Sequence, residues 1–211
     1  MKIDILTLFP DCFAPLKTSI INRAVEKGIL EINLVNFRDF SQDKHKKVDD
    51  IIYGGGAGLL LTPQPIIDAI DSLDVNHKAL RVYTSPKGKK FNSSMAKQLA
   101  KYDHIIILCG HYEGVDQRVI DSAIDMEISI GDYILTGGEL PAMVIVDALA
   151  RHIDGVINAE SLKDESFEQG LLEYPQYTRP RDFNGMQVPE VLVNGNHAQI
   201  AKWKRENSKK I

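Results

Sequence analysis

An α/β fold, a mostly parallel sheet with helices on both faces, is what this sequence predicts. Strand-like and helix-like segments alternate from Ile3 to His152. The unbroken apolar run Ile105-Ile106-Ile107-Leu108 suits a strand buried on both faces. Ser85, Gly110 and Gly131 each fall just after a predicted strand, where ligands collect in such sheets.

The elements follow in order. Ile3 to Leu8 reads as an opening strand that Pro10 ends. Ser19 can cap a helix through Lys27, carrying Ile21 and Val25, with Gly28 as its stop. Leu30, Ile32 and Leu34 alternate with Glu31 and Asn33, a half-buried strand. A polar connection runs from Arg38 to Asp50 and leads into a glycine cluster at 54–58. Thr62 and Pro63 open a helix with Ile66, Ile67, Ile70 and Leu73 on one side. Val82 to Ser85 reads as a strand end, and Asn92 or Ser93 starts a helix carrying Met95, Leu99 and Tyr102. After the 105–108 strand come a helix over Val115, Val119 and Ala123, a strand at Ile128, and a helix from Leu140 to His152.

The stretch Ile128-Ser129-Ile130-Gly131-Asp132-Tyr133-Ile134-Leu135-Thr136-Gly137-Gly138-Glu139-Leu140-Pro141 joins those last two elements. Pro141 suits a first helical turn, and two glycines before it let backbone approach a ligand closely. Alone, a Gly-Gly pair is a tight turn. From Asn158 to Glu165 the chain turns polar without apolar periodicity and reads as a linker. The expected division is a domain over 1–157, a linker over 158–165 and a small helical domain over 166–211, its last helix starting near Asn196.

The totals bound the function. At 211 residues, 44% apolar and 26% charged, the chain has the composition of an ordinary globular protein with a real core. Cys12 and Cys109 form no CxxC pair, so neither a disulfide framework nor a zinc site is indicated, and a reducing cytoplasm fits. No secretory signal follows Met1-Lys2, and no apolar run is long enough to span a bilayer. The net charge of −4 argues against nucleic acid only weakly, because counterion release needs just a local basic cluster. Such clusters stand at Lys44, Lys46 and Lys47, at Lys87, Lys89 and Lys90, and from Lys202 to Lys210; each alone reads as solvated surface.

Four ordered motifs sharpen this. They are Tyr53-Gly54-Gly55-Gly56-Ala57-Gly58, Gly110-His111-Tyr112-Glu113-Gly114, the 128–141 stretch, and Tyr174-Pro175-Gln176-Tyr177-Thr178-Arg179-Pro180. Together they closely resemble the bacterial tRNA (guanine-N1)-methyltransferases, the TrmD family of SPOUT methyltransferases, over nearly the whole chain. The resemblance implies a deep C-terminal trefoil knot, which ordinary topology rules would not produce, and a cytoplasmic homodimer with its active site at the interface. It implies methyl transfer from S-adenosylmethionine to N1 of the guanine 3′-adjacent to the anticodon (position 37), in a base flipped out of the tRNA anticodon stem-loop. Mg2+ is a candidate second cofactor, although no metal ligands are assigned. The family's C-terminal domain runs several helices further, so this one is expected to be short.

By resemblance, Gly110, Ile130, Gly131, Asp132, Tyr133, Ile134 and Leu135 contact the donor, and Ser85, Pro86, Gly137, Gly138 and Pro141 complete its walls. The alternative for Tyr133 is a core aromatic. Tyr112, Glu113 and Gly114, with His45, Asp50, Gly56 and Gly58, fall on the guanine and tRNA side; Glu113 could instead complement a helix dipole. Guanine N1 is protonated at neutral pH, so a base must remove its proton, and charge then gathers on O6. Arg151 is the family's donor to that oxygen, or else a helical partner of Asp147 four residues back. The family's catalytic aspartate precedes Ser-Phe, where this chain has Asp164-Glu165-Ser166-Phe167. Glu165 is taken as the base; Asp164 sliding into its place, or weak catalysis, are the alternatives. The competing functions are a donor-binding RNA-binding knot protein with weak activity, and a SPOUT methyltransferase acting on another RNA.

Overall fold

A computed structural model of the chain describes residues 1–158, 166–167 and 171–210. It divides into two compact units, Met1–Ile157 and Asn158–Ile211.

The first unit is built on β1 (Lys2–Thr7), followed by a 3-10 helix, Pro10–Lys17, and α1 (Ser19–Glu26). Gly28, with φ of 69°, turns the chain after α1 into β2 (Glu31–Asn36). The polar connection is shorter than its sequence suggests: a 3-10 turn, Phe37–Phe40, opens it, and β3 (Asp49–Ile51) pairs antiparallel with β4 (Leu59–Leu61). The glycine cluster is the loop of that hairpin.

Next come α2 (Pro63–Leu73), β5 (Leu80–Lys90), α3 (Ser93–Leu99) and β6 (His104–Cys109). Then follow α4 (Gln117–Ala123), β7 (Met126–Ser129) and α5 (Glu139–Ala150). Asn92 caps α3 by accepting from the Met95 N–H at 2.9 Å.

Five strands form one parallel sheet in the order β2-β1-β6-β5-β7. The period-2 alternation of β6 splits its apolar run between two cores. Ile105 and Ile107 join Ile3, Ile5, Phe13 and the inner face of α5; Ile106 and Leu108 join Leu6, Phe37, Ile66 and Ile70. At the edge where the strands begin, the fully buried Asp4 carboxylate is held by Lys2, His104 and Asn33 at 2.7–2.9 Å. Such partners are what make a buried charge tolerable.

β5 does not stop at Ser85. Its register against β7 shifts between Thr84 and Lys89, and pairing then resumes as far as Lys90. Pro86 has no N–H to give the ladder, and Gly88 lies so close to β7 that a Cβ would fall 2.4 Å from the Ile128 nitrogen. The irregularity carries Ser85 and Pro86 out of the ladder.

In the second unit, β8 (Leu171–Leu172) is followed by a hairpin of β9 (Asp182–Phe183) and β10 (Met186–Gln187). Asn184 and Gly185 turn this hairpin with φ of 55° and 82°, the Asn-Gly preference of a primed turn. A 3-10 turn, Glu190–Leu192, precedes α6 (His197–Asn207), and β11 (Lys209–Lys210) pairs back with β8. Asn196 caps α6 through the Gln199 N–H. Trp203 of α6 packs against Tyr174 and Tyr177, and the Lys204 ammonium lies 4.6 Å from the Tyr174 ring centre.

Candidate active site

Three loops leave the carboxyl ends of the strands on the same side of the sheet. The irregular part of β5 brings Ser85 and Pro86, the end of β6 brings residues 110–114, and the end of β7 brings residues 130–138. Between them lies a cleft of about 310 Å³, at the small end of the range for ligand sites.

The 130–138 loop is fastened to the 110–114 loop through backbone. The Gly138 N–H donates to the Gly110 carbonyl at 2.9 Å, and His111 and Gly137 form an antiparallel bridge. Glycine is required here for room. A Cβ on Gly138 would lie 2.7 Å from the Cys109 Cα, and one on Gly110 would lie 2.7 Å from the Tyr83 hydroxyl. Gly131, with φ of 159°, has the Tyr133 ring over its free face.

Of the residues expected to surround the donor, Ser85, Pro86, Gly110, Ile130, Gly131, Tyr133, Ile134, Leu135, Gly137, Gly138 and Pro141 line this cleft. Asp132 does not; its exposed carboxylate pairs with the Lys90 ammonium. Tyr133 is 55% exposed, so it is no core aromatic.

Tyr112, Glu113 and Gly114 line the same cleft. Tyr112 and Gly114 have φ of 57° and 110°, a tight turn that docks on β4: the Glu113 N–H donates to Leu59 and the Leu61 N–H to Gly114, both at 3.1 Å. That docking brings Gly58 against Glu113, whose Oε1 lies 2.5 Å from where a Gly58 Cβ would sit. Gly56, with φ of 127°, is exposed and has open space around it. His45 and Asp50 are exposed on the 41–51 segment and do not line the cleft. The Ile51 N–H and then Lys47, at 3.5 Å, hold the Asp50 carboxyl below its usual range.

Arg151 is the C-cap of α5 and is half-buried. The cleft meets the other end of that twelve-residue helix, about 18 Å away along its axis. One copy of the chain therefore does not bring Arg151 to its own cleft. Asp164 and Glu165 lie outside the described residues, as does most of the 158–165 segment; Ser166 beside them accepts from the Glu173 N–H at 3.1 Å.

His111 and Tyr83 also line the cleft, and behind them stand groups that sequence reasoning did not single out. Glu139, at the start of α5, is 6% exposed; it accepts from Thr7 Oγ1 at 2.7 Å and pairs with His111 Nε2 at 2.9 Å. The His111 ring packs on Phe9, centroids 4.7 Å apart. Burial, then the charge of Glu139, pushes the Cys109 thiol well up, so it remains an inert core group. Burial, then the neighbouring Glu127, pushes the Tyr83 hydroxyl up to about 12, which keeps it a neutral donor. The polar residue in the middle of an apolar strand was the available signal for Tyr83. Nothing local marked Glu139 apart from a helix-opening acid.

Comparison with known proteins decides the family. The model of the tRNA (Guanine-1)-methyltransferase TrmD family matches residues 1–211. This chain belongs to that family. A TrmD-family relative from Clostridioides difficile, named tRNA (guanine-N(1)-)-methyltransferase, is 55% identical over 217 residues, covering 100% of this chain and 94% of the relative. Relatives of the same name from Alkaliphilus metalliredigens and Caldanaerobacter subterraneus are 56% and 57% identical, covering 99% and 100% of this chain and 87% and 88% of their own lengths. Among the described residues no group of three or more His, Cys, Asp or Glu side chains could hold a metal ion, so Mg2+ is given no ligands here. No helix among them is long and apolar enough to cross a membrane.

Proposed function

We infer that this chain methylates N1 of a guanine in tRNA, the base 3′-adjacent to the anticodon, with S-adenosylmethionine as donor. The observation that carries this reading is the backbone-lined cleft between the 110–114 and 130–138 loops, in a chain matched end to end by the family. Backbone N–H and C=O groups can recognise an adenine edge without side chains, and the close approaches at Gly110, Gly131 and Gly138 leave that backbone bare. When bound, the donor supplies an electrophilic methyl group on a positively charged sulfur.

The chain's own residues supply the rest. Glu113, exposed on its tight turn, accepts from the guanine N1–H and exocyclic amine, which selects guanine over adenine. Glu165, or Asp164 beside it, takes the N1 proton. Burial on closing over the target would raise that carboxylate toward neutrality and improve it as a base. Arg151 meets the charge developing on O6.

Because Arg151 caps the end of α5 remote from its own cleft, we assign it to the cleft of a second copy. Leu140 and Val144, 58% and 45% exposed and one turn apart on α5, supply apolar surface for such a pairing. The homodimer, the trefoil knot formed by the 130–150 region, and a cytoplasmic location with the tRNA substrate belong to the same proposal.

Single-turnover assay of the purified chain with labelled donor and a tRNA transcript carrying that guanine tests it. Label mapping to N1 of that base supports the reading. Tight tRNA binding without transfer would instead indicate the non-catalytic RNA-binding alternative, and label elsewhere would indicate another RNA target.

A further inference from the structure

The turn that carries Glu113 is held from two sides. On one side it docks on β4, and the Gly114 N–H closes it on the His111 carbonyl at 3.0 Å. On the other, the His111 side chain reaches the start of α5, where its Nε2 meets Glu139 Oε2 at 2.9 Å. Glu139 Oε1 accepts from Thr7 Oγ1 at 2.7 Å, and Thr7 Oγ1 accepts in turn from the Phe9 N–H at 2.9 Å. The ends of β1 and β6 and the start of α5 thus meet at one carboxylate.

Each group in this chain of bonds has a defined direction. A carboxylate that accepts on both oxygens calls for the His111 proton on Nε2. The Phe9 and Tyr112 rings, with centroids 4.7 and 6.1 Å from that of His111, flank the imidazole. Gly137 completes the arrangement, because a Cβ there would overlap both His111 Nε2 and Glu139 Oε2. Joining β6 to α5 does not by itself require a charge. A well-packed apolar pair in place of a buried ion pair is often neutral or stabilising, whereas a satisfied polar network fixes one arrangement. What the carboxylate adds is the placement of His111 and of the turn that starts there. Glu139 itself is 6% exposed and does not line the cleft.

We propose that Glu139 is a positioning residue for the methyl transfer: through His111 it holds the 111–114 turn so that Glu113 meets the target guanine. This rests on the guanine-reading role given to Glu113 above.

The test is single-turnover methylation of the tRNA transcript by the full chain, at saturating donor and at a temperature where circular dichroism shows every variant folded. Glu139→Gln keeps the shape and the bond from Thr7 but removes the charged acceptor for His111. It should slow transfer by about tenfold or more, while S-adenosylhomocysteine affinity in calorimetry stays within about twofold. Glu113→Gln should slow transfer too, and the double variant should be no slower than the slower single one, because both act on one contact. His111→Gln still offers an N–H to Glu139 and should keep most of the rate; His111→Leu should be at least as slow as E139Q. A folded E139Q chain with the wild-type rate, or single losses that multiply in the double variant, overturns the inference and leaves the Glu113 reading intact. So does an E139Q chain that loses donor affinity as much as rate, since Glu139 would then act on the donor loop. An E113Q chain with the wild-type rate overturns both readings.

Discussion

Replacing Gly138 by alanine places one methyl group where the fold has no room for it. Gly138 has φ −84° and ψ −3°, ordinary values for any residue, so backbone strain is not the issue. The added Cβ would lie 2.3 Å from Thr84 Oγ1, 2.7 Å from the Cys109 Cα and 2.8 Å from the Gly110 nitrogen. Thr84 can rotate, but the other two atoms are backbone at the end of a central strand. Relaxed carbon contacts need about 3.5 Å or more, so the 138 backbone must retreat by close to 1 Å. That stretches the Gly138 N–Gly110 O bond, now 2.9 Å, beyond hydrogen-bonding range.

Losing that bond costs about 1 kcal/mol, and overpacking adds about 1–3 kcal/mol. Gly138→Ala should therefore destabilise the chain by about 2–4 kcal/mol in urea unfolding at unchanged m-value. Since residues 137, 138 and 141 also line the cleft, affinity for S-adenosylhomocysteine should fall by at least about tenfold even where the variant is fully folded. A G138A chain with wild-type stability and affinity would refute the claim that these loops are locked through bare backbone.

Glu139→Ala removes the shared partner of Thr7 and His111 and should cost about 2–4 kcal/mol in urea, with Glu139→Gln intermediate because it still accepts from Thr7. Asp74 is raised by burial but held lower on balance by the Arg81 guanidinium and the Lys78 and Ala79 N–H groups. A depressed folded-state pKa means its stabilisation is present above the unfolded value near 3.8 and lost as pH falls through the folded one. Asp74→Asn should thus cost about 2 kcal/mol near pH 7, a difference that shrinks in unfolding curves taken below pH 3.8. Arg151→Ala should slow single-turnover methyl transfer by about 100-fold or more while S-adenosylhomocysteine affinity in calorimetry stays close to wild type. Equal losses in rate and affinity would remove Arg151 from its assigned role.

Where local chemistry and tertiary demand agree, the sequence was legible. The run 105–108 is β6, Asn92 and Asn196 cap the helices they precede, and Gly28 takes the positive φ that ends α1. It was opaque where pairing partners lie far along the chain. β5 outruns its predicted end because Lys89 and Lys90 find β7 again after the Pro86–Gly88 irregularity, something visible only with β7 in place. Val115 stays outside α4 because Leu61 pairs with it. The Asn184-Gly185 turn, by contrast, carries a purely local signal, a residue pair suited to two positive φ angles.

The site divides along the same line. The glycines at 110, 131, 137 and 138 announce a close approach, and the structure supplies the neighbour each of them avoids. Glu139 carries no such mark, because its significance depends on what Thr7 and His111 bring from elsewhere in the chain. Arg151 is the extreme case: it caps the end of α5 remote from the cleft, and the role proposed for it would need the surface of a second copy.

The locking of the cleft by backbone has an energetic consequence. The Gly138–Gly110 bond, the His111–Gly137 bridge and the Glu139 carboxylate tie β6 to the start of α5, and α5 supplies Ile145, Val146 and Leu149 to the larger core. Distorting the cleft loops therefore loosens the packing of a core helix, and a ligand that fits only the locked arrangement reinforces that packing. Linkage makes the gain calculable: at a hundredfold excess over its dissociation constant, such a ligand adds about 2.7 kcal/mol to unfolding stability. That is comparable with the whole penalty expected for G138A. At the same ligand concentration, a ligand that reports on an intact lock should thus protect the wild-type chain strongly and the G138A chain by less, about 1.4 kcal/mol less for each tenfold loss of affinity.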